Sequence, residues 1–290
     1  MCILLSSVLH PDYPLILISN RDEYFSRKTQ HAAFHQDNPS LLYPKDLARQ
    51  EHGTWIGINK NGKIAVLLNY REPKLGDCVG KISRGAIPIE FLQSDLAPEK
   101  WEHEIGSQTE TLQDIGGFSL LFGKVNVDRS TNGAQPLRIF SNRSNACESA
   151  FNTYKTIGMS NSKYHEPWPK VHVGTELLEK CVKSSVDENW SQEQLIEQLF
   201  AILSTAIPER EKWKDMSYND AFDLLPNSIF IPPVWSDAAN DYYGTRTHTI
   251  IMLNKNGQVT YIERDLHTSR NLDEAPQTRK YEFSLENDDT

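Results

Sequence analysis

The chain has 290 residues, enough to bury a sizeable core as one large domain or two small ones. With 38% hydrophobic, 24% charged and 10% aromatic residues it has the make-up of a folded globular protein, which excludes disordered and fibrous classes. Lys and Arg total 30 against 39 Asp and Glu, a formal net charge of −9 with no clustered basic run, so no nucleic-acid partner is expected.

Residues 2–9 (CILLSSVL) and 15–20 (LILISN) are two β-rich runs separated by Pro11-Asp12-Tyr13-Pro14, which predicts that the chain begins in a strand and returns antiparallel. No basic segment precedes the first run and His10–Pro14 interrupts it, so it is read neither as a membrane span nor as a signal sequence. A cytosolic or organelle-peripheral protein without a transmembrane segment is expected. A second hairpin is predicted from 54–59 and 64–69 around Asn61-Gly62, and a third from 247–254 and 258–263 around Asn256-Gly257, because Asn-Gly favours the positive-φ turn of a tight hairpin. Further strands are predicted at 117–123, 137–141 and 156–160. The clearest helix is 191–206, where Leu195, Ile196, Leu199, Phe200 and Leu203 form one apolar face, Ser191 with Gln194 reads as a capping box, and Pro208 closes the segment. Shorter helices are predicted at 84–94 and 170–183. No linker or repeat divides the chain, so residues 1–282 are read as one α+β domain of helices on antiparallel sheet, followed by an acidic, disordered tail over 283–290.

Cys2, Cys78, Cys147 and Cys181 lie far apart with no C-x-x-C pair, which argues against a zinc cluster or a disulfide scaffold and suits a reducing compartment. No cofactor and no metal set is read from the sequence. Cys2 is the first candidate for chemistry. Removal of Met1 would leave a free α-amine, with pKa near 8, on a residue whose thiol titrates near 8.5, so one residue would supply nucleophile and base. The plainer reading is a small apolar residue opening a strand. Asn20-Arg21-Asp22-Glu23 follows the strand 15–19, and four polar residues in succession place it where the sheet opens, beside Cys2. There a cation would favour a thiolate and a carboxylate could hold an ammonium; a solvated turn is the alternative. Asn69 and Asn161 each end an apolar strand, as donors for an oxyanion or as Asx-turn residues. Arg246, in Gly244-Thr245-Arg246-Thr247, is suited to a carboxylate or to orienting another group, and is otherwise an ordinary strand arginine.

Met-Cys at the start, N-R-D-E at 20–23, G-T-W-x-G-I at 53–58, L-x-N-Y-R at 67–71, S-R-G at 83–85, G-M-S-N at 158–161 before Pro167-Trp168, and Y-G-T-R-T-H-T at 243–249 occur in one order. In these motifs the chain resembles the NRDE family, also called the Transport and Golgi organisation 2 family, from residue 1 to about 265. That family is similar in turn to N-terminal nucleophile hydrolases of the choloylglycine hydrolase and penicillin V acylase type. The resemblance implies a four-layer αββα sandwich, with Cys2 as nucleophile and base, Arg21 beside its sulfur and Asp22 on the α-amine. It further implies Asn69 and Asn161 along the oxyanion region and Arg246 as a distal arginine. Two functions follow as expectations. One is cleavage of an amide (C–N) or thioester bond by cysteine acylation. The other is a non-catalytic carrier of haem or acyl-lipid that supports Golgi organisation and secretion. A cytosolic scaffold is the plainest third reading. In either of the first two the partner is a small, hydrophobic molecule, and association with the Golgi or the mitochondrion is left open.

An N-terminal nucleophile at Cys2 predicts that the intact mass of native protein lacks Met1 and that Cys2 alkylates faster than Cys78, Cys147 and Cys181 near neutral pH. Quantitative retention of Met1 in functional protein would favour the carrier.

Overall fold

A computed structural model describes residues 2–72, 80–108, 112, 114–128, 133–134, 137–144 and 147–286. The chain opens with β1 (Ile3–Ser7), β2 (Leu15–Tyr24), β3 (Thr29–Phe34), β4 (Leu41–Asp46), β5 (Ile56–Asn59) and β6 (Lys63–Asn69), then α1 (Ala86–Gln93) and α2 (Pro98–Ser107). The middle holds β7 (Phe118–Lys124), a two-strand ribbon of β8 (Val127–Asp128) and β9 (Gly133–Ala134), β10 (Arg138–Ser141), β11 (Glu148–Ser149) and β12 (Thr156–Met159). Helices α3 (Pro169–Asp187), α4 (Gln192–Leu203) and α5 (Tyr218–Leu224) lead into β13 (Val234–Ser236), β14 (Asp241–Leu253), β15 (Gln258–Asp265) and β16 (Gln277–Ser284).

The long strands form two antiparallel sheets, one ordered β12-β1-β2-β14-β15-β16 with β13 on β14, the other β11-β10-β7-β6-β5-β4-β3. Alternation along the strands assigns their faces. Leu4, Leu15 and Leu17 meet Ile64, Val66, Leu68 and Leu121 between the sheets. Ile3, Leu5, Ile16 and Ile18 turn outward beneath Leu178 and Val182 of α3 and Leu195, Leu199 and Leu203 of α4. On the far side Ala65, Leu67, Leu120 and Phe122 lie under Phe91 of α1 and Trp101 and Ile105 of α2. The order helices, sheet, sheet, helices is a four-layer αββα sandwich. Each fully covered Leu or Ile contributes about 1.5–3 kcal/mol, and because both faces of β1 and β2 are covered, Ile3–Leu5 and Leu15–Ile18 are apolar at consecutive positions rather than alternating.

The predicted hairpins form, with Gly62 at φ 85 and Gly257 at φ 82 in the turns between β5 and β6 and between β14 and β15. The capping box at Ser191 and Gln194 is formed on both sides. The predicted opening of the sheet at residue 20 needs correction. β2 continues through Asn20, Arg21, Asp22 and Glu23 to Tyr24, and the first three are buried. Period-2 burial tolerates this because β14 pairs with β2 along its whole length, from Leu15↔Leu253 to Tyr24↔Tyr243, and layers on both sides supply partners. What stops at residue 20 is the neighbour, since β1 begins with Ile3 opposite Asn20. The first strand also lies second in its sheet, with β2 and β14 at the centre. The segment expected as a tail begins inside β16, where Phe283 pairs with Val259 and packs on Phe34; residues 287–290 lie outside the described part of the chain.

One contact ties the sheets together directly. The register of β3 on β4 slips between Gln30 and Ala33, which turns the backbone of Ala32 out of its own ladder. Glu263 on β15 accepts the Ala32 N–H at 2.8 Å, and the Tyr281 hydroxyl on β16 donates to the Ala32 carbonyl at 2.6 Å. Burial, reinforced by Asp265, pushes the Glu263 carboxyl up to about 8. A carboxyl raised in the fold stabilises fully below its unfolded value near 4.5 and loses that contribution as pH rises towards 8. Glu263→Gln keeps an acceptor for Ala32 without the charge. Its stability relative to wild type is therefore expected to improve between pH 5 and pH 8, by at most about 1.4 kcal/mol per pH unit, and its relative melting temperature to rise with it. A difference independent of pH in thermal melts would contradict this.

Candidate active site

The site begins where β2 outruns β1. Cys2, half-buried, precedes the first paired residue of β1 and so lies level with Arg21 and Asp22. Its carbonyl accepts the Ser160 hydroxyl at 2.7 Å, which fixes the backbone against the end of β12, and its sulfur accepts the backbone N–H of Asp22. Arg21 is 6% exposed; its guanidinium carbon lies 4.3 Å from the centroid of the Trp55 ring and it pairs with Glu23 at 3.8 Å. Asp22 accepts the Thr245 hydroxyl at 2.7 Å, and that hydroxyl oxygen accepts the Ile231 N–H. Glu23 reaches Arg27 at 3.5 Å, and Arg27 reaches Asp46 at 2.8 Å.

Cys2, Arg21, Asp22 and Asn69 open together onto a cavity of about 240 Å³, with Trp55 and Thr54 on one wall and Arg27, Arg49 and Arg84 among the charged groups around it. Asn69 is exposed into this space. Asn161 is buried behind it. Its amide donates to the Asn69 carbonyl, its own carbonyl accepts the Arg71 N–H at 2.8 Å, and its Oδ1 has no hydrogen-bond partner among the described residues. Asn161 thus holds the backbone of Asn69 rather than lining the cavity. Arg246 is also buried, and donates to the carbonyls of Tyr24, Arg27 and His267 at 3.1, 2.6 and 3.1 Å. Burial, with Arg21 nearby, lowers it to about 10. It fixes the backbone that carries Glu23 and Arg27 and is not among the residues lining the cavity.

Asn20, first residue of the N-R-D-E run, turns away from the cavity. It donates to the carbonyls of Leu203 and Ile229, both at 2.8 Å, and its Oδ1 accepts from Nδ1 of His248 at 2.6 Å. Burial lowers His248 to about 3, so the ring is neutral and donates through Nδ1. Sequence reasoning missed Lys170, which is fully buried at the start of α3. Burial pulls its ammonium down while the charges of Asp22 and Cys2 push it back up. The one signal in the sequence was Trp168-Pro169, which starts a helix next to the G-M-S-N motif and sets Lys170 in its first turn.

Burial pushes the Cys2 thiol above its ordinary value and Asp22 adds to this, while the Asp22 N–H and Arg21 pull it down. The resting group is a thiol that needs a base. Burial takes Cys147 to about 12, with Glu102 adding to it, and takes Cys181 to about 11; Cys78 lies outside the described residues. Among the described residues no group of three or more His, Cys, Asp or Glu is placed to hold a metal, and no helix is long and apolar enough to cross a membrane.

Two asparagines in this region separate structural from chemical roles. Asn20→Ala strips two buried carbonyls and His248 of their partner and is expected to cost roughly 2–4 kcal/mol in urea unfolding, whereas exposed Asn69→Ala should cost less than about 1 kcal/mol. Equal losses would contradict the division.

The model of the family described as Transport and Golgi organisation 2 matches residues 1–268. An uncharacterized protein of Saccharomyces cerevisiae is 32% identical over 296 residues, covering 93% of both chains. The Transport and Golgi organization 2 homolog of Mus musculus is 30% identical over 284 residues, covering 94% of both. Among solved structures, a variant of the conjugated bile acid hydrolase from Clostridium perfringens aligns over 98% of both chains at 10% identity and a TM-score of 0.44. The Caenorhabditis elegans N-acylethanolamine-hydrolyzing acid amidase ortholog aligns over 87% of this chain and 92% of its own, at 9% identity and a TM-score of 0.39. On the match of the family model along nearly its whole length, the chain belongs to the Transport and Golgi organisation 2 family.

Proposed function

We propose that the chain cleaves an amide or thioester bond by transient acylation of Cys2. The observation that carries this reading is the convergence of Cys2, Arg21, Asp22 and Asn69 on one cavity, with the Asp22 N–H on the sulfur. With Met1 removed, the α-amine of Cys2 takes the thiol proton and the sulfur attacks the substrate carbonyl. The carbonyl π pair moves to oxygen, where the exposed Asn69 amide donates to it. Collapse expels the amine or thiol leaving group, which takes the proton back from the α-ammonium. Water then attacks the thioester, giving one proton to the α-amine, which passes it to the departing sulfur, while the other leaves with the acid; this frees the acid and restores the Cys2 thiol and amine. Arg21, immobilised on Trp55, favours the thiolate, and Asp22 holds the ammonium. Asn161 and Arg246 act one step back, by fixing the backbone of Asn69 and of the segment after β2.

The walls bear on the choice between enzyme and carrier. Arginines and carboxylates surround the cavity, with Trp55, Leu67 and Ile82 as its larger apolar side chains. This lining supports a ligand that presents a polar end, and it supports a wholly apolar cargo less well. A reactive acyl thioester mixed with purified protein is expected to leave an acyl adduct on the peptide bearing Cys2. Cys2→Ser and Cys2→Ala should each lower turnover at least ~100-fold with substrate binding changed by less than about threefold. Undiminished turnover in Cys2→Ala, or a Cys2 peptide that never acylates in wild type, would sink the proposal.

A further inference from the structure

The residue in this region that the acylation scheme does not use is Lys170. Its placement is unusual on two counts. It is 0% exposed, although an ammonium taken out of water costs several kcal/mol unless an opposite charge meets it. It also lies in the first turn of α3, where the helix dipole disfavours a cation. Nothing in helix formation calls for lysine there: Pro169 already starts the helix, and the Lys170 N–H is held by the Pro226 carbonyl at 3.1 Å.

Packing carries this end of α3 to the mouth of the site. Gly158 on β12 lets α3 approach so closely that a Cβ there would lie 2.7 Å from Cγ1 of Val171, the residue after Lys170, and 3.0 Å from Leu5 on β1. Three residues further along, Asn161 meets Asn69, while Ser160 grips the Cys2 carbonyl. The first turn of α3 therefore covers the ends of β12 and β1, on the side where Asp22 and Cys2 lie. The Lys170 ammonium is 5.7 Å from the Trp168 ring centroid, which shields it from solvent, and its electrostatic neighbours are Asp22 and Cys2. Among the described residues the charged and titratable groups around the thiol are then Asp22 and Arg21 from β2, Lys170 from α3, and Tyr243 from β14, whose hydroxyl is pushed up by burial and by Asp22 and Cys2.

We propose that Lys170 is a positioning residue for the Cys2 site, the buried counter-charge that holds the Asp22 carboxylate in place beside the thiol. Burial and the Asp22 charge both oppose formation of the Cys2 thiolate, so a cation beside Asp22 lets this carboxylate orient the amino terminus without further suppressing the nucleophile. This rests on the reading of Cys2 as a nucleophile, and the test separates the two.

The experiment uses the full-length protein as wild type, Lys170→Met, Asp22→Asn and the double variant. Iodoacetamide labelling of the Cys2 peptide is followed against pH by mass spectrometry, and melting temperatures are recorded in parallel. Lys170→Met is expected to raise the pH midpoint of Cys2 labelling by about one unit, and to raise it far less in the Asp22→Asn background. Removing either charge alone leaves the other buried without its partner, so the double variant should melt above at least one single variant. An unchanged midpoint in folded Lys170→Met, or melting losses that simply add, overturns the proposal. If Lys170→Met does not fold, rescue of folding by adding Asp22→Asn supports the pairing and failure of rescue refutes it. Should Cys2 prove inert in wild type, the acylation reading falls while the melting cycle still decides the Lys170–Asp22 pair.

Discussion

The structure turns on burying Asn20, Arg21 and Asp22 in succession on a strand covered from both sides. Each brings a polar group whose unpaired burial would cost about 1–3 kcal/mol or more, and each therefore finds a different partner, in the helical layer, in the facing sheet or on the neighbouring strand. Asn20 faces outward and takes the end of α4, the Ile229 carbonyl and His248. Arg21 faces the second sheet and lies on Trp55. Asp22 takes Thr245, which in turn receives the Ile231 N–H. A motif that appears in the sequence as one patch thus divides its work: Asn20 turns away, while Arg21, Asp22 and Glu23 line the cavity.

The site follows from a difference in strand length. β2 and β14 stay paired to Tyr24 and Tyr243, while β1 stops at the level of Asn20. The vacated position beside Arg21 and Asp22 is filled by Cys2, whose carbonyl is held by Ser160 at the end of β12. Cys2 is thus set by the backbone pairing of β1 on either side and by a side-chain hydrogen bond from Ser160, just after β12, a rigid support of the kind precise sites have. Arg246 and Asn161 extend that support without touching the cavity space.

The parts of the fold legible in the sequence are those with local causes. Asn61-Gly62 and Asn256-Gly257 dictate their hairpins through backbone φ alone, and Ser191 with Gln194 writes the start of α4 into four residues. The β-rich run at 15–19 marked the strand, but period-2 burial misjudged its end, because it records which faces are apolar and cannot register that layers above and below carry partners for polar side chains. β3 and β16 were missed for a related reason: β3 is bulged and β16 is an edge strand whose residues alternate between exposed and half-buried. Of the residues singled out in the sequence, Cys2, Arg21, Asp22 and Asn69 line the cavity. The backbone-holding tasks of Asn161 and Arg246 and the buried ammonium of Lys170 depend on elements more than a hundred residues away in sequence from β1 and β2. No local window contains them.

The pairing of β2 with β14 also orders events in time. The partner of Leu15 is Leu253 and that of Tyr24 is Tyr243, so the strand carrying Arg21 and Asp22 stays without its neighbour until nearly the whole chain has left the ribosome. Once β12 and β14 dock, Ile3 to Ser7 lie fully buried between β2 and β12. The surroundings of Cys2 therefore take shape last, drawn from strands at both ends of the chain.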